Sequence, residues 1–333
     1  AYRDFVIEHG SDWSGRWPRS LGTRDTPRAA PESIQQLRVS AQGTFDSRVP
    51  QSHLADAQQS LDAQPSMDWS SCSREVRATL LAARAIVRRV TEDQVDTILA
   101  GIGQSFAAAR LAQLLLLDLG YAPEIVVETG LSGFDAASAD PFLLGYRNIV
   151  GARRLTDVEH VLGAVVCGNA GRCLAVIGAA QVDKKGRINS TRTGGSLLVG
   201  SGGANDIASA ADEVVVLVRA QAQRLPENVE FVTSPGTRVR SIVSEGWEIA
   251  RANEQQDWTL RQWIASSGSE ASPNGLPNWC IDQGAGVASA SGPTHRELES
   301  LLAIGLAQDE RSGARLGDSC SAAGKTELKR QHG

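Results

Sequence analysis

Short, continuous apolar runs that alternate with amphipathic stretches constrain this chain more than any other feature. Ser73 to Val90 sets Val76, Leu80, Leu81, Ala83, Ile86 and Val87 at helical spacing, with arginines on the other face. Asp96 to Ile102 is a short apolar run that closes on glycines, as a buried strand does. Gln104 to Leu119 is an Ala- and Leu-rich helix stopped by Gly120, and Glu124 to Val127 is the next strand. The rhythm continues with a helix from Asp157 to Val166, strands at Leu174–Ile177 and Leu197–Gly200, and a helix at Ala204–Ala211. Strands at Val214–Val218, Val229–Thr233 and, last, Arg240–Val243 complete it. Strands that are apolar on both faces need cover on both faces. The pattern therefore predicts an α/β fold, a doubly wound, mostly parallel open sheet with helices on both faces. Ligands of such sheets bind at the carboxyl ends of the strands.

Outside residues 71–265 this rhythm is absent. Residues 1–70 are rich in Arg, Ser, Gln, Pro and Asp, and read as an irregular extension in which Trp13 and Trp17 could dock on a neighbouring surface. Residues 266–333 read as a loop-rich tail with one helix near 294–308. There Thr294-His-Arg-Glu297 is a capping-box signature ahead of Leu298, Leu301, Leu302 and Ile304.

Composition excludes several classes. A net charge of −5 argues against a nucleic-acid binder or a polybasic membrane-surface protein. The longest apolar run, Leu111 to Leu119, is broken by Gln113 and Asp118 and is shorter than the ~18 residues of a membrane span. No signal peptide is read at the start, so a soluble cytoplasmic protein is expected. Only four of the 33 basic residues are lysine (Lys184, Lys185, Lys325, Lys329), which reads as the codon bias of a GC-rich bacterial genome. Cys72, Cys167, Cys173, Cys280 and Cys320 match no zinc spacing and are expected to be buried free thiols, with no metal site. His9, His53, His160, His295 and His332 are too dispersed for a triad or a metal centre.

Two segments could carry chemistry. Gly200-Ser201-Gly202-Gly203-Ala204-Asn205-Asp206 joins a strand to a helix, with Asn205 or Asp206 as its cap. Such a loop presents backbone N–H groups to an anion or oxyanion, or simply makes a tight turn. It has neither the Gly-Lys-Ser/Thr of a P-loop nor Gly-x-Gly-x-x-Gly spacing. The second segment is Val126-Val127-Glu128-Thr129-Gly130-Leu131-Ser132-Gly133, a carboxylate at a strand end before a glycine turn. Glu128 is there either a nucleophile or base, or a solvated strand-end carboxylate.

Taken in order, these motifs resemble the β-subunit of the family I CoA-transferases, the glutaconate CoA-transferase-like group in particular. Glu128-Thr-Gly-Leu-Ser-Gly133 is similar to the family's Glu-Asn-Gly-type motif with its catalytic glutamate. Gly178-Ala-Ala-Gln181-Val-Asp183 with Gly186-Arg-Ile-Asn189 resembles its Gly-Ala-Gln-x-Asp-x-x-Gly-x-x-Asn stretch. Gly200 to Ser209 is similar to its most specific segment, and Phe231-Val-Thr-Ser-Pro-Gly236 to the strand and turn that follow. The resemblance covers about Ser73 to Trp263. It implies an enzyme acting on an acyl-CoA thioester, with coenzyme A as part of the substrate. Glu128 would be the nucleophile, and Gly200, Ser201, Gly202, Gly203, Ala204 and Asn205 would line the oxyanion or CoA. Thr129, Gly130, Gln181, Asp183 and Asn189 would shape the site, and Lys184 and Lys185 would contact CoA phosphates or merely sit in a solvated turn. It further implies an α-type partner subunit, as an α2β2 heteromer, and a carboxylate acceptor or water. Relatives on this fold include CoA-ester hydrolases, ring-opening lyases and decarboxylases, in specialised metabolism. A non-catalytic CoA-binding or scaffolding subunit is the remaining alternative.

Overall fold

A computed structural model describes residues 68–134, 143, 145–168, 172–265, 275–280, 287 and 289–304. The N-terminal extension, with Trp13 and Trp17, falls outside the described residues but for its last three positions. Most of the tail falls outside them too.

The first element, helix α1 (Arg74–Asp93), is capped by Ser73, whose side chain accepts from the Val76 N–H. It leads to strand β1 (Thr97–Ala100), helix α2 (Gln104–Asp118), and strands β2 (Glu124–Val127) and β3 (Leu131–Phe134). After helix α3 (Tyr146–Gly151) come strand β4 (Ala152–Leu155) and a π-helical segment (His160–Val166). Strand β5 (Cys173–Gly178) precedes two small hairpins, β6 (Gln181–Val182) with β7 (Ile188–Asn189) and β8 (Arg192–Thr193) with β9 (Ser196–Leu197). Helix α4 (Ala204–Ala210) then leads to β10 (Glu213–Leu217), β11 (Val239–Val243), β12 (Trp247–Ala250) and β13 (Thr259–Trp263). Helix α5 (His295–Ala303) comes last.

Nine strands form one sheet in the order β13-β12-β11-β10-β5-β1-β2-β3-β4. The five central strands, β11-β10-β5-β1-β2, are mutually parallel, and an antiparallel pair extends each edge. From β1 the chain moves outward to β2 on one side, then returns through β5 to β10 and β11 on the other. The switch point therefore lies between β1 and β5, as in a doubly wound sheet.

Alternation along the strands divides the core. Ile98, Ala100, Ile125, Val127, Leu174, Val176, Val215 and Leu217 face the layer of α1, α2 and α5, packing with Leu80, Ile86, Phe106, Leu111 and Leu301. Leu99, Val126, Ala175, Ile177, Val214 and Val216 face the opposite layer, with Val161, Ile207, Trp247, Trp258 and Trp279. Both faces are apolar because both are covered.

Several expectations are corrected. Leu197–Gly200 is not a sheet strand. Its start belongs to the β8–β9 hairpin, and Leu197, Leu198 and Val199 are exposed. Val229–Thr233 forms no strand; this stretch is held by loop hydrogen bonds, Thr233 N–H donating to Ile188 O at 2.8 Å, next to an isolated bridge at Ser234. β11 is not the last strand, since β12 and β13 follow it, with Trp247 opposite Trp263. Their tryptophans and arginines mask the strand pattern in the sequence. Among the thiols, Cys173 and Cys280 are buried, but Cys72 is only partly so and Cys167 is exposed; Cys320 lies outside the described residues.

Candidate functional site

Glu128 follows β2, at the carboxyl edge of the parallel strands. Register places Ala100 beside both Val127 and Val176, so the loop after β1 stands level with Glu128 on one side and with the end of β5 on the other. The turn after Glu128 depends on Gly130. Its N–H donates to Val127 O at 2.9 Å, its φ is +94°, and a Cβ there would meet Thr156 O at 2.1 Å. No L side chain fits that position.

The loop before α4 reaches this edge from 75 residues away in sequence: Gly203 N–H donates to Glu128 Oε1 at 3.0 Å. The approach is close. A Cβ on residue 203 would stand 2.5 Å from Glu128 Cδ and 2.7 and 2.8 Å from its two oxygens. Only glycine lets backbone and carboxylate meet like this. Gly203 is buried and Glu128 half-buried, whereas Gly200, Ser201 and Gly202 are exposed. Cβ atoms on Gly200 or Gly202 would meet nothing within 4 Å, so open space lies beside this loop. Gly202 takes a φ of +52°, and Ala204 N–H closes the turn onto Ser201 O at 3.1 Å. The helix starts at Ala204 with Gly203 as its N-cap, so neither Asn205 nor Asp206 caps it. The approach to Glu128 requires glycine at the position where a capping side chain would sit.

The remaining sequence candidates divide. Thr129 is exposed beside Glu128. Gln181, Asp183 and Asn189 are engaged by the protein itself. The buried Asp183 carboxylate accepts from the N–H groups of Lys185 and Arg187 at 3.0 Å and of Val229 at 3.2 Å, and pairs with the Arg187 guanidinium at 2.6 Å. Asn189 Nδ2 donates to Gln181 Oε1 at 2.7 Å, while its Oδ1 accepts from Thr191 and Arg192 N–H at 3.1 Å. These residues build the β6–β7 hairpin. Lys184 and Lys185 are exposed, and their carbonyls anchor Trp258 Nε1 at 2.7 Å and Arg251 Nη2 at 3.0 Å. Arg251 stacks 4.4 Å above Trp258, and burial holds its guanidinium down to about 10. No cluster of three or more His, Cys, Asp or Glu able to hold a metal occurs among the described residues.

Sequence reasoning missed the loop after β1. Gly101 N–H donates to Val176 O at 2.8 Å, and a Cβ there would crowd the same oxygen at 3.1 Å. Gly103, at φ +77°, opens α2 without a side-chain cap, and the buried Ser105 hydroxyl has no partner among the described residues. The signal was present as Gly101-Ile-Gly103 closing a buried strand. Only the pairing of β1 with β2 puts it beside Glu128.

The Coenzyme A transferase family model matches residues 167–246, which include the Gly200–Gly203 loop but not Glu128. The β-type subunit of glutaconate CoA-transferase from Acidaminococcus fermentans is 28% identical over 166 residues, 47% of this chain. The chain spans 59% of the length of that relative. Among solved structures, glutaconate CoA-transferase from A. fermentans superposes with a TM-score of 0.56 at 18% identity, over 70% of this chain and 95% of that one. The decarboxylase AibA/AibB follows at 0.54 and 18%, over 70% and 94%. Rhodococcus jostii RHA1 IpdAB matches at 0.51 and 16%, over 69% and 93%. No helix among the described residues is long and apolar enough to cross a membrane. In its sequence, and in the fold of its mostly parallel sheet, the chain is thus a β-subunit-like relative of the family I CoA-transferases.

Proposed function

We propose that this chain is the β-type subunit of a cytoplasmic, CoA-transferase-like enzyme, with residues 71–265 as its catalytic unit and Glu128 as its nucleophile. The observation that carries this reading is the Gly203 N–H on Glu128 Oε1, in a loop with open space beside it. A carboxylate is ionised at neutral pH and needs no base to attack. Glu128 adds to the thioester carbonyl of an acyl-CoA, the C–S bond breaks, and CoA leaves as thiolate, giving an acyl–glutamyl anhydride. The thiolate then attacks the glutamyl carbonyl and expels the acyl group as carboxylate, leaving a glutamyl-CoA thioester. An acceptor carboxylate reverses the two steps. Each tetrahedral oxyanion needs fixed N–H donors, worth about 3 kcal/mol apiece, and the backbone of Ser201 to Ala204 is placed to supply them.

The A. fermentans relative is a β-type subunit, and this supports an α-type partner in an α2β2 heteromer. The near-equal likeness to a decarboxylase favours keeping a second reading, hydrolysis or decarboxylation of a CoA ester on the same scaffold. One experiment separates them. The reconstituted pair is incubated with an acyl-CoA, treated with borohydride, and the peptide holding Glu128 is weighed. A reduced or CoA-linked glutamate, with turnover lost in Glu128→Ala, supports the transferase. An unmodified peptide and surviving turnover would refute the nucleophile.

A further inference from the structure

The amino-terminal edge of the sheet carries a cleft that the reaction above does not use. It lies where the end of α4, the start of β11 and the β12–β13 connection meet. Its volume is about 520 Å³, and its walls include Ser209, Thr237, Arg238, Arg240, Asn253 and Glu254. Glu128 sits at the opposite, carboxyl edge. It is also four interstrand spacings away, on the order of 19 Å laterally. A ligand in one site does not touch the other.

The cleft is cationic and under-paired. Arg240 donates from one nitrogen, Nη1, to the carbonyls of Thr237 at 2.8 Å and Val239 at 3.3 Å. That leaves its Nε–Nη2 edge, one of the faces that grips oxyanions in pairs, without a partner among the described residues. Arg238 makes no side-chain hydrogen bond or ion pair among the described residues. Burial holds the Arg240 guanidinium below its ordinary value. Glu213 opposes this, the charges of Arg238 and Arg89 add to it, and Glu254 opposes it. Glu213 is already shared by Arg89 at 2.5 Å and Arg172 at 3.4 Å, which leaves Glu254 as the carboxylate in the wall. The Asn253 side-chain oxygen accepts from Gln255 N–H at 3.0 Å, so its amide donors remain for a ligand. Hydroxyls on Ser209 and Thr237 complete a lining richer in donors than in acceptors.

We infer that this cleft binds a phosphate-bearing small molecule of nucleotide size, through the paired arginines and the amide of Asn253. The volume falls in the range of small-molecule sites, about 300 to 1,000 Å³. A phosphate dianion relieves the repulsion between Arg238 and Arg240 and fills the free guanidinium edge.

The test is calorimetric titration of the full chain with ADP and, separately, with inorganic phosphate. Arg238→Gln, Arg240→Gln and Ser209→Asp are run beside the wild type. Arg238 and Ser209 are exposed, so their variants keep the fold even where Arg240→Gln does not. Expected is saturable ADP binding that weakens at least about tenfold in each arginine variant and in Ser209→Asp, and that persists in Glu128→Gln. Phosphate binding with the same dependence assigns the affinity to the phosphate alone, and its absence assigns a share to the nucleoside. ADP binding that ignores the arginines, or that Glu128→Gln abolishes, overturns the site, as does the absence of binding by either probe.

Discussion

Gly203 has the least freedom of any residue near the site, because its missing side chain is where the Glu128 carboxylate lies. Gly203→Ala places a Cβ 2.5 Å from Glu128 Cδ. The expected outcome is a fall in kcat of about 10² to 10³, with the thermal midpoint shifted by no more than a few degrees. Steady-state kinetics beside a melt checks it. Asp183 makes the contrasting case. It is fully buried and holds Arg187 and three backbone N–H groups, so Asp183→Ala strands a charge and its donors. A loss of about 3 to 5 kcal/mol in urea unfolding is expected. Cys173 shows how burial governs reactivity. Desolvation, with Asp212 nearby, pushes its thiol from 9.0 up to about 12. A raised value means the folded state keeps its proton longer than the unfolded one. The contribution to stability is complete below about pH 9 and is lost as pH climbs toward 12. Labelling with iodoacetamide at pH 8 should therefore modify exposed Cys167 in the native protein and Cys173 only after unfolding.

Among the elements, helix α5 shows a local signal and a distant contact sharing one residue. Thr294 and Glu297 form the full capping box that their spacing predicts. Glu297 also takes the Arg84 guanidinium from α1 at 2.6 Å, which docks the tail helix on the core. Thr294→Ala should cost about 1 kcal/mol, read by chemical denaturation. Glu297→Gln should cost more, because it weakens the cap and leaves the half-buried Arg84 without its ion pair. Helices α1 and α2 and strands β1, β2, β5 and β10 were legible from periodicity within a residue or so at most ends, since each packs against a uniform apolar surface. The two-residue hairpins were not. Elements that short have no period, and turn geometry alone sets them. Strand β12 hides the buried Glu248 among apolar residues; its carboxylate is bonded by Arg88 and by Gln262 Nε2 at 2.7 Å. A charge made tolerable by partners on other elements cannot be recognised from its neighbours in sequence.

For the molecule as a whole, the proposed dependence on an α-type partner predicts a physical complex. Co-expression with such a subunit should yield a heteromer by size-exclusion chromatography with light scattering, and turnover only in the mixture. An active, monodisperse homo-oligomer would contradict it. The sequence by itself determined the alternation of helix and strand and the two-faced core, because apolar periodicity is a property of neighbouring residues. It also marked Glu128 and the Gly200–Gly203 loop as separate signals. Only the tertiary structure decided that they meet. Strand order and register are non-local, and the parallel pairing of β1 with β2 and β5 fixes which loops share an edge. The Gly203 N–H then closes on a carboxylate 75 residues away.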